Sequence, residues 1–328
     1  MSKNKNSKKA FSMMELSVTI VVSAVVVMAL IKANSLFSKV EEVGNKWVSQ
    51  KIEVKQPPSG CQGGDIVDSE TVPGKIIHIF NTSGILDCNA AFDVEYLIVG
   101  GGGGTRSNGG GGGGAGGFLT GTTSITAGSH EVVVGDGGLA YSSLPYYPYT
   151  PSSGKDSSFF GLIAKGGGCG GSNEADNNTP RPKGCNGGSG GGMGKGGGTR
   201  TAWIATGTAG QGYNGGRNGT DPYNNFKYSS GGGGGAGGAG GNGNGLKGGK
   251  GGDGLLSTIT GVSKWYAVGG PGSCSNPENL TYYAGATASG GAAWDQDGQP
   301  NTGNGAGAWG KNGGSGIVVI RYDAPPSS

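Results

Sequence analysis

Phe11 and Glu15 stand four residues apart at the start of a run, Phe11 to Ile31, in which Glu15 is the sole ionisable side chain. A lone carboxylate among apolar residues in a membrane costs about 3 kcal/mol or more. The chemistry this segment calls for is therefore a group that neutralises the Glu15 carboxylate. Cys61, Cys88, Cys169, Cys185 and Cys274 form a second set. They make no CxxC or Cys/His spacing, and the only histidines, His78 and His130, stand far apart, so zinc and redox work are disfavoured. Disulfide formation in an oxidising compartment suits them better. Cys61–Cys88 and Cys169–Cys185 are the preferred pairs, with Cys274 left over, although five cysteines allow many pairings.

Other constellations are weaker. Asp295-Gln296-Asp297-Gly298 begins like a calcium loop but lacks the closing acid. Gly248 to Leu255 fits one calcium β-roll repeat, where tandem copies would be needed. At this glycine density GxGxxG is uninformative, and no P-loop Lys-Ser or Lys-Thr follows it. Two histidines give a nucleophilic triad little to draw on. We expect neither an enzyme nor a cofactor or metal. Tyr146, Tyr147, Tyr149, Tyr223, Trp265 and Trp294 lie in breaks between glycine runs. Tyr and Trp in loops suit recognition of sugars or proteins. The same residues could instead seal the ends of the glycine segments, and the sequence leaves both roles open.

The elements that must position these residues follow in order. A leader with Lys3, Lys5, Lys8 and Lys9 and no acid precedes the apolar run, an asymmetry that holds an N-terminus cytoplasmic. As a helix, residues 11 to 31 reach about 30 Å, the apolar thickness of a bilayer. Leu36, Val40, Val43 and Trp47 continue a helical stripe, which Pro57 and Pro58 must end. Asp65 to Val67, Lys75 to Phe80, Val94 to Val99, Phe118 to Thr126, His130 to Val134 and Ser158 to Ala164 read as strands. His78, inside one of them, reads as a packed, hydrogen-bonded side chain.

The chain has 328 residues, but 78 are Gly and 33% are hydrophobic, so an ordinary core does not fill it. Without the leader's four lysines, 20 of the 24 basic side chains remain against 21 acidic ones. A mature chain near neutrality has no electrostatic case for nucleic acid. The glycine runs carry a three-residue register: Gly188, Gly191, Gly194 and Gly197 share one phase, as do Ala236, Ala239 and Asn242, and as do Lys247, Lys250 and Asp253. Polyproline II has three residues per turn and no internal hydrogen bonds. Bare glycine faces would let several such segments pack and bond to one another, offsetting roughly 1–2 kcal/mol of ordering entropy per residue.

Two resemblances follow from these residues. The basic leader, Ala10, Phe11, Glu15 and the long apolar run resemble the N-terminus of type IV pilins and pseudopilins, over about the first 50 residues. That resemblance implies cleavage by prepilin peptidase between Ala10 and Phe11, methylation of the Phe11 amine, and pairing of Glu15 with a neighbouring subunit's amine. Ala10 departs from the usual Gly, and the Gly and Pro common within the family's apolar segment are missing. A cleaved secretory signal and a plain signal anchor are the competing readings; the first lacks a good cleavage site and the second leaves Glu15 unexplained. Val94 to Gly100, Gly116 to Gly121 and Gly313 to Tyr322 resemble a glycine-rich domain of surface proteins, similar to the tips of phage tail-fibre adhesins, across residues 75 to 322. That resemblance implies a lattice of polyproline-II segments, ligand-binding loops, and first and last strands lying close together.

The expected fold class is α+β: a long N-terminal pilin-type helix followed by an all-β head with packed polyproline-II segments. The expected boundaries are a leader at 1–10, a membrane and stalk helix at 11–55, a linker at 56–62, leading strands at 63–99, a glycine-rich head at 100–322 and a tail at 323–328. The expected function is that of a structural subunit of a type IV pilus-like filament on the bacterial surface, displaying an adhesive head. Alternatives are a pseudopilin of a secretion or DNA-uptake machine and an unprocessed anchored protein. Its partners would be related pilin subunits, prepilin peptidase, the inner membrane before assembly, and a cell-surface or glycan ligand.

Overall fold

A computed structural model describes residues 60–106, 110–140, 152–172, 183–195, 204–221, 224–245, 247–274, 291–293 and 295–325. The chain divides into two units, Met1–Lys55 and Gln56–Ser328, and every described residue belongs to the second. Its strands, in chain order, are β1 (Cys61–Gln62), β2 (Ile66–Asp68), β3 (Lys75–Phe80), β4 (Gly84–Cys88), β5 (Phe92–Val99), β6 (Phe118–Ile125) and β7 (Gly128–Val133). They continue as β8 (Ser157–Phe159), β9 (Leu162–Ala164), β10 (Gly219–Asp221), β11 (Asn224–Ser229), β12 (Leu255–Ser257), β13 (Lys264–Tyr266) and β14 (Ile317–Asp323).

One five-stranded sheet has the order β1-β4-β7-β8-β9 and a second the order β2-β3-β14-β5-β6, every pairing being antiparallel. Leu86, Val132, Phe159 and Ala164 of the first sheet meet Ile76, Phe80, Val94, Ile98, Val318 and Ile320 of the second in one buried cluster. The opposite face of the second sheet presents Ile77, Leu97, Val99, Ile317 and Val319 to Ala115, Ala236, Ile259, Tyr266 and Ala267. Cover on both faces explains why β14 reads as the unbroken apolar run Ile-Val-Val-Ile instead of alternating. β14 lies between β3 and β5, so the last strand of the head sits between two of the earliest.

The glycine tracts lie outside these strands, and their backbone hydrogen bonds repeat every third residue. Gly100 and Gly103 donate to Gly117 and Gly114, Gly101 and Gly104 to Lys155 and Ser152, and Gly102 and Thr105 to Gly314 and Lys311. Gly111, Gly114 and Gly117 donate to Gly171, Gly168 and Lys165, while Gly112 and Ala115 donate to Gly231 and Gly234. Each segment therefore turns the same face to the same neighbour at intervals of three, the period of polyproline II. The bonds answer the demand that buried backbone groups be paired. In the outer segment 247–253, Lys247, Lys250 and Asp253 are exposed and the glycines between them are buried. The interior segment 188–195 is buried throughout, including Met193 and Lys195.

The α+β expectation needs correction. Among the described residues there is no helix, and the architecture is all-β with antiparallel sheets. Strings of glycine are poor helix formers, each costing about 1 kcal/mol relative to Ala, whereas the β-branched runs between them favour strands. The helix expected over 11–55 lies outside the described residues, and among the described ones no helix is long and apolar enough to cross a membrane. Ser158 to Ala164 is not one strand but the hairpin β8–β9. Its two-residue turn, Phe160-Gly161, takes φ of 47° and 78°, the left-handed geometry that matches strand twist and that Gly161 adopts without strain.

Candidate functional site

β5 and β14 are apolar strands that each carry one long charged side chain at the same level. The register sets Arg321 directly opposite Glu95, and Asp323 opposite Lys75 of β3. Arg321 Nη2 donates to Glu95 Oε2, and Arg321 Nη1 donates to the Ile259 carbonyl at 3.1 Å. Lys75 Nζ lies 3.2 Å from Glu95 Oε1 and 2.9 Å from Asp323 Oδ1. The Arg321 hydrogen bond, aided by Lys75, holds the Glu95 carboxyl below its usual range against the opposing effect of burial. Asp323 first, and Glu95 second, raise the Lys75 amine. Arg321 Nε is buried without a hydrogen-bond partner.

Glu95 and Arg321 of this row line one wall of a groove of about 520 Å³. The rest of its lining includes Phe118, Thr120 and Thr122 of β6 and Leu256 of β12. The β12–β13 hairpin pairs Leu255 with Tyr266 and Leu256 with Trp265. Directly opposed residues share a face. Tyr266 is buried, and Leu256 and Trp265 are 49% and 42% exposed, so the hairpin turns one aromatic to the core and one to solvent. Lys264 Nζ sits 5.3 Å from the centroid of the Tyr266 ring. The result is an indole and a leucine on an outer surface next to a shallow polar groove. Such a surface can stack on a flat apolar ligand face and hydrogen-bond to its edge. Among the described residues no group of three His, Cys, Asp or Glu side chains could hold a metal.

Of the expected recognition residues, Trp265 alone falls within the described residues; Tyr146, Tyr147, Tyr149, Tyr223 and Trp294 lie outside them. So do Ala10, Phe11 and Glu15. Cys61 is joined to Cys88 and Cys169 to Cys185, the pairs preferred from sequence. Cys61 and Cys88 face one another across β1 and β4. Cys274 is a buried thiol, and its carbonyl accepts from the buried Lys195, whose amine desolvation lowers to about 8. His78 is fully buried: its Nδ1 lies 2.7 Å from the Gly63 carbonyl and its Nε2 3.2 Å from the Tyr322 hydroxyl. The sequence reading passed over the Glu95–Arg321 pair. Its signal was a single charge inside each of two apolar runs, Val-Glu-Tyr-Leu-Ile-Val and Ile-Val-Val-Ile-Arg-Tyr.

The glycine-rich domain family matches residues 84–323, well over half of the chain. The chain belongs to the glycine-rich domain family. The match begins at β4 and ends at the last residue of β14, so it takes in both five-stranded sheets' central strands and the glycine tracts between them. No curated protein matches the chain. The matched region carries the groove and the β12–β13 hairpin, and residues 1–83 lie outside it.

Proposed function

We propose that this glycine-rich domain is the outer head of a structural subunit in a type IV pilus-like filament on the bacterial surface. The observation that carries the reading is the N-terminal sequence itself: four lysines, Ala10-Phe11, Glu15 and an apolar run to Ile31. The precursor sits in the inner membrane, prepilin peptidase cuts between Ala10 and Phe11, and the new Phe11 amine is methylated. Within the filament Glu15 accepts the amine of a neighbouring subunit, since each charge is tolerable in apolar surroundings only when paired.

The two disulfides in the head support an oxidising destination, where such bonds persist. The head's role is adhesion, with the exposed Trp265 and Leu256 and the adjoining groove receiving a glycan or another cell-surface group. The protein acts by binding, without catalysis, cofactor or specific contact with nucleic acid.

Mass spectrometry of the surface-displayed protein tests the proposal. A chain beginning at methylated Phe11 is expected, and electron microscopy of sheared material should show filaments containing it. Retention of Met1 to Ala10 would refute processing and leave an anchored surface protein. Processed protein without filaments would instead indicate a pseudopilin. Glu15→Ala should abolish filaments while leaving membrane insertion intact, and normal filaments from that variant would remove the proposed pairing.

A further inference from the structure

We propose that β6 is a docking edge for a second copy of this chain, joining the two heads by antiparallel β6–β6 pairing. The first sheet ends in β1 and β9, of two and three residues, and the second in β2, of three residues, and β6, of eight. β6 is the long edge. It pairs with β5 over its full length, Phe118 to Ile125, without a shift of register.

Among the described residues the outer side of β6 is open from Thr120 to Ser124. The Phe118 amide donates to the Gln211 carbonyl, hence away from β5. Alternation along an antiparallel strand then turns the N–H and C=O of Thr120, Thr122 and Ser124 outward as well. Among the described residues no backbone group takes those bonds. Edge strands are usually blunted by Lys, Pro, a bulge or a covering segment. Phe118-Leu119-Thr120-Gly121-Thr122-Thr123-Ser124-Ile125 has no charge and no Pro, while the competing edge β2 carries Asp68.

The same residues select a second copy as the occupant. In the two-fold register Thr122 faces Thr122, and Thr120 faces Ser124 in both directions. About six backbone hydrogen bonds form, hydroxyl meets hydroxyl, and no like charges are opposed. Of the carboxylates beside β6 on that face, Glu95 is held by Arg321 and Lys75, and Asp93 accepts from the Ser124 hydroxyl. Such a contact is isologous and closes at two copies. It therefore differs from the helical stacking of a filament and does not rest on the filament reading.

The test uses the full chain. Opposed Thr122 residues would lie about 5.5 Å apart between Cα atoms, inside the range of about 4.4–6.8 Å that a disulfide spans. Under mild oxidation Thr122→Cys should give a covalent dimer, lost on reduction, whereas Val262→Cys, also exposed but on the β12–β13 turn, should remain monomeric. Adding Thr120→Pro removes one outward N–H and keeps the backbone ladder to β5, losing only the Thr120 hydroxyl bond to the Tyr96 carbonyl, so it should abolish the cross-link with at most a small fall in the thermal melt. On the unaltered chain, amide hydrogen exchange at Thr120, Thr122 and Ser124 should slow about tenfold or more as concentration rises through the dimer range. A Thr122→Cys dimer no more abundant than that of Val262→Cys overturns the proposal. Edge amides already protected in the monomer overturn it too and assign the edge to another strand of its own chain. Exchange that stays fast at all concentrations also overturns the proposal, with the edge left unpaired.

Discussion

Replacing Gly112 by Ala puts one methyl group at the crossing of four glycine tracts. The Gly112 amide donates to the Gly231 carbonyl at 3.0 Å, and its carbonyl accepts from the Gly192 amide at 2.8 Å. A Cβ there would lie closer than 3.0 Å to the carbonyl of Gly270 and to the amide nitrogen of Gly233. Those atoms are backbone, and they bond to each other at 2.8 Å, so neither can swing aside as the tip of a side chain could. Overpacking of this kind costs about 1–3 kcal/mol, and one or two weakened hydrogen bonds add about 0.5–1.5 kcal/mol each. Reduced freedom of the unfolded chain returns about 0.4–1 kcal/mol. The net loss is about 3 kcal/mol, equivalent to a fall in melting temperature of roughly 6–12 °C for a domain of this size. Gly238→Ala is the matched control, since the nearest atom to its added Cβ is the Asp253 amide nitrogen at 3.6 Å, an ordinary contact. It keeps only the unfolded-state gain and should melt about 1–4 °C higher. Calorimetry of both variants at one pH decides the matter. Equal melting temperatures would refute close backbone approach as the reason these tracts are glycine.

His78 gives a pH dependence. Burial holds its imidazole below the usual pKa, against the raising effect of the Gly63 carbonyl, so the folded state keeps the ring neutral. Gly63 can only accept, which puts the proton on Nδ1 and leaves Nε2 to accept from the Tyr322 hydroxyl, whose oxygen accepts the Cys61 amide. A depressed histidine favours the folded state above the unfolded value of about 6.5 and withdraws that stability as pH falls below it. Denaturant midpoints should therefore drop as pH falls below about 6.5, a slope that His78→Gln should flatten; an unchanged slope in the variant would assign it elsewhere. Arg321→Met leaves Glu95 with Lys75 alone and should raise the Glu95 titration midpoint by NMR while costing about 1–2 kcal/mol, the pair being partly exposed. Opening Cys61–Cys88, which closes a separation of 27 residues, should cost about 3.5 kcal/mol by loop entropy, measured as a shift in midpoint on replacing both cysteines by serine.

The strands were legible where β-branched residues run between glycine or proline, as in Lys75 to Phe80 and Ile317 to Tyr322. Both disulfides follow from residues 27 and 16 positions apart, short enough for local loops to bring them together. The exposed phase of Lys247, Lys250 and Asp253 was readable because a charged side chain marks the outer face of a threefold segment. Other features were not legible. β4 and the hairpins β10–β11 and β12–β13 are short and carry few β-branched residues. The groove depends on Glu95 meeting Arg321, 226 residues away, and no local pattern links the two. Trp265 was singled out as an aromatic, but its exposure depends on its register with Leu256.

By itself the sequence determined which segments lack side chains, which strands are apolar on both faces, and that Glu15 stands alone among apolar neighbours. Which glycine tract bonds to which was decided only in the tertiary structure. One run of glycine is locally like another, and partner choice comes from the strands and disulfides that fix where each run begins and ends. The same holds for the edges: β6 reads by composition as one strand among several, and it is an edge because, among the described residues, no strand pairs with it on the side away from β5.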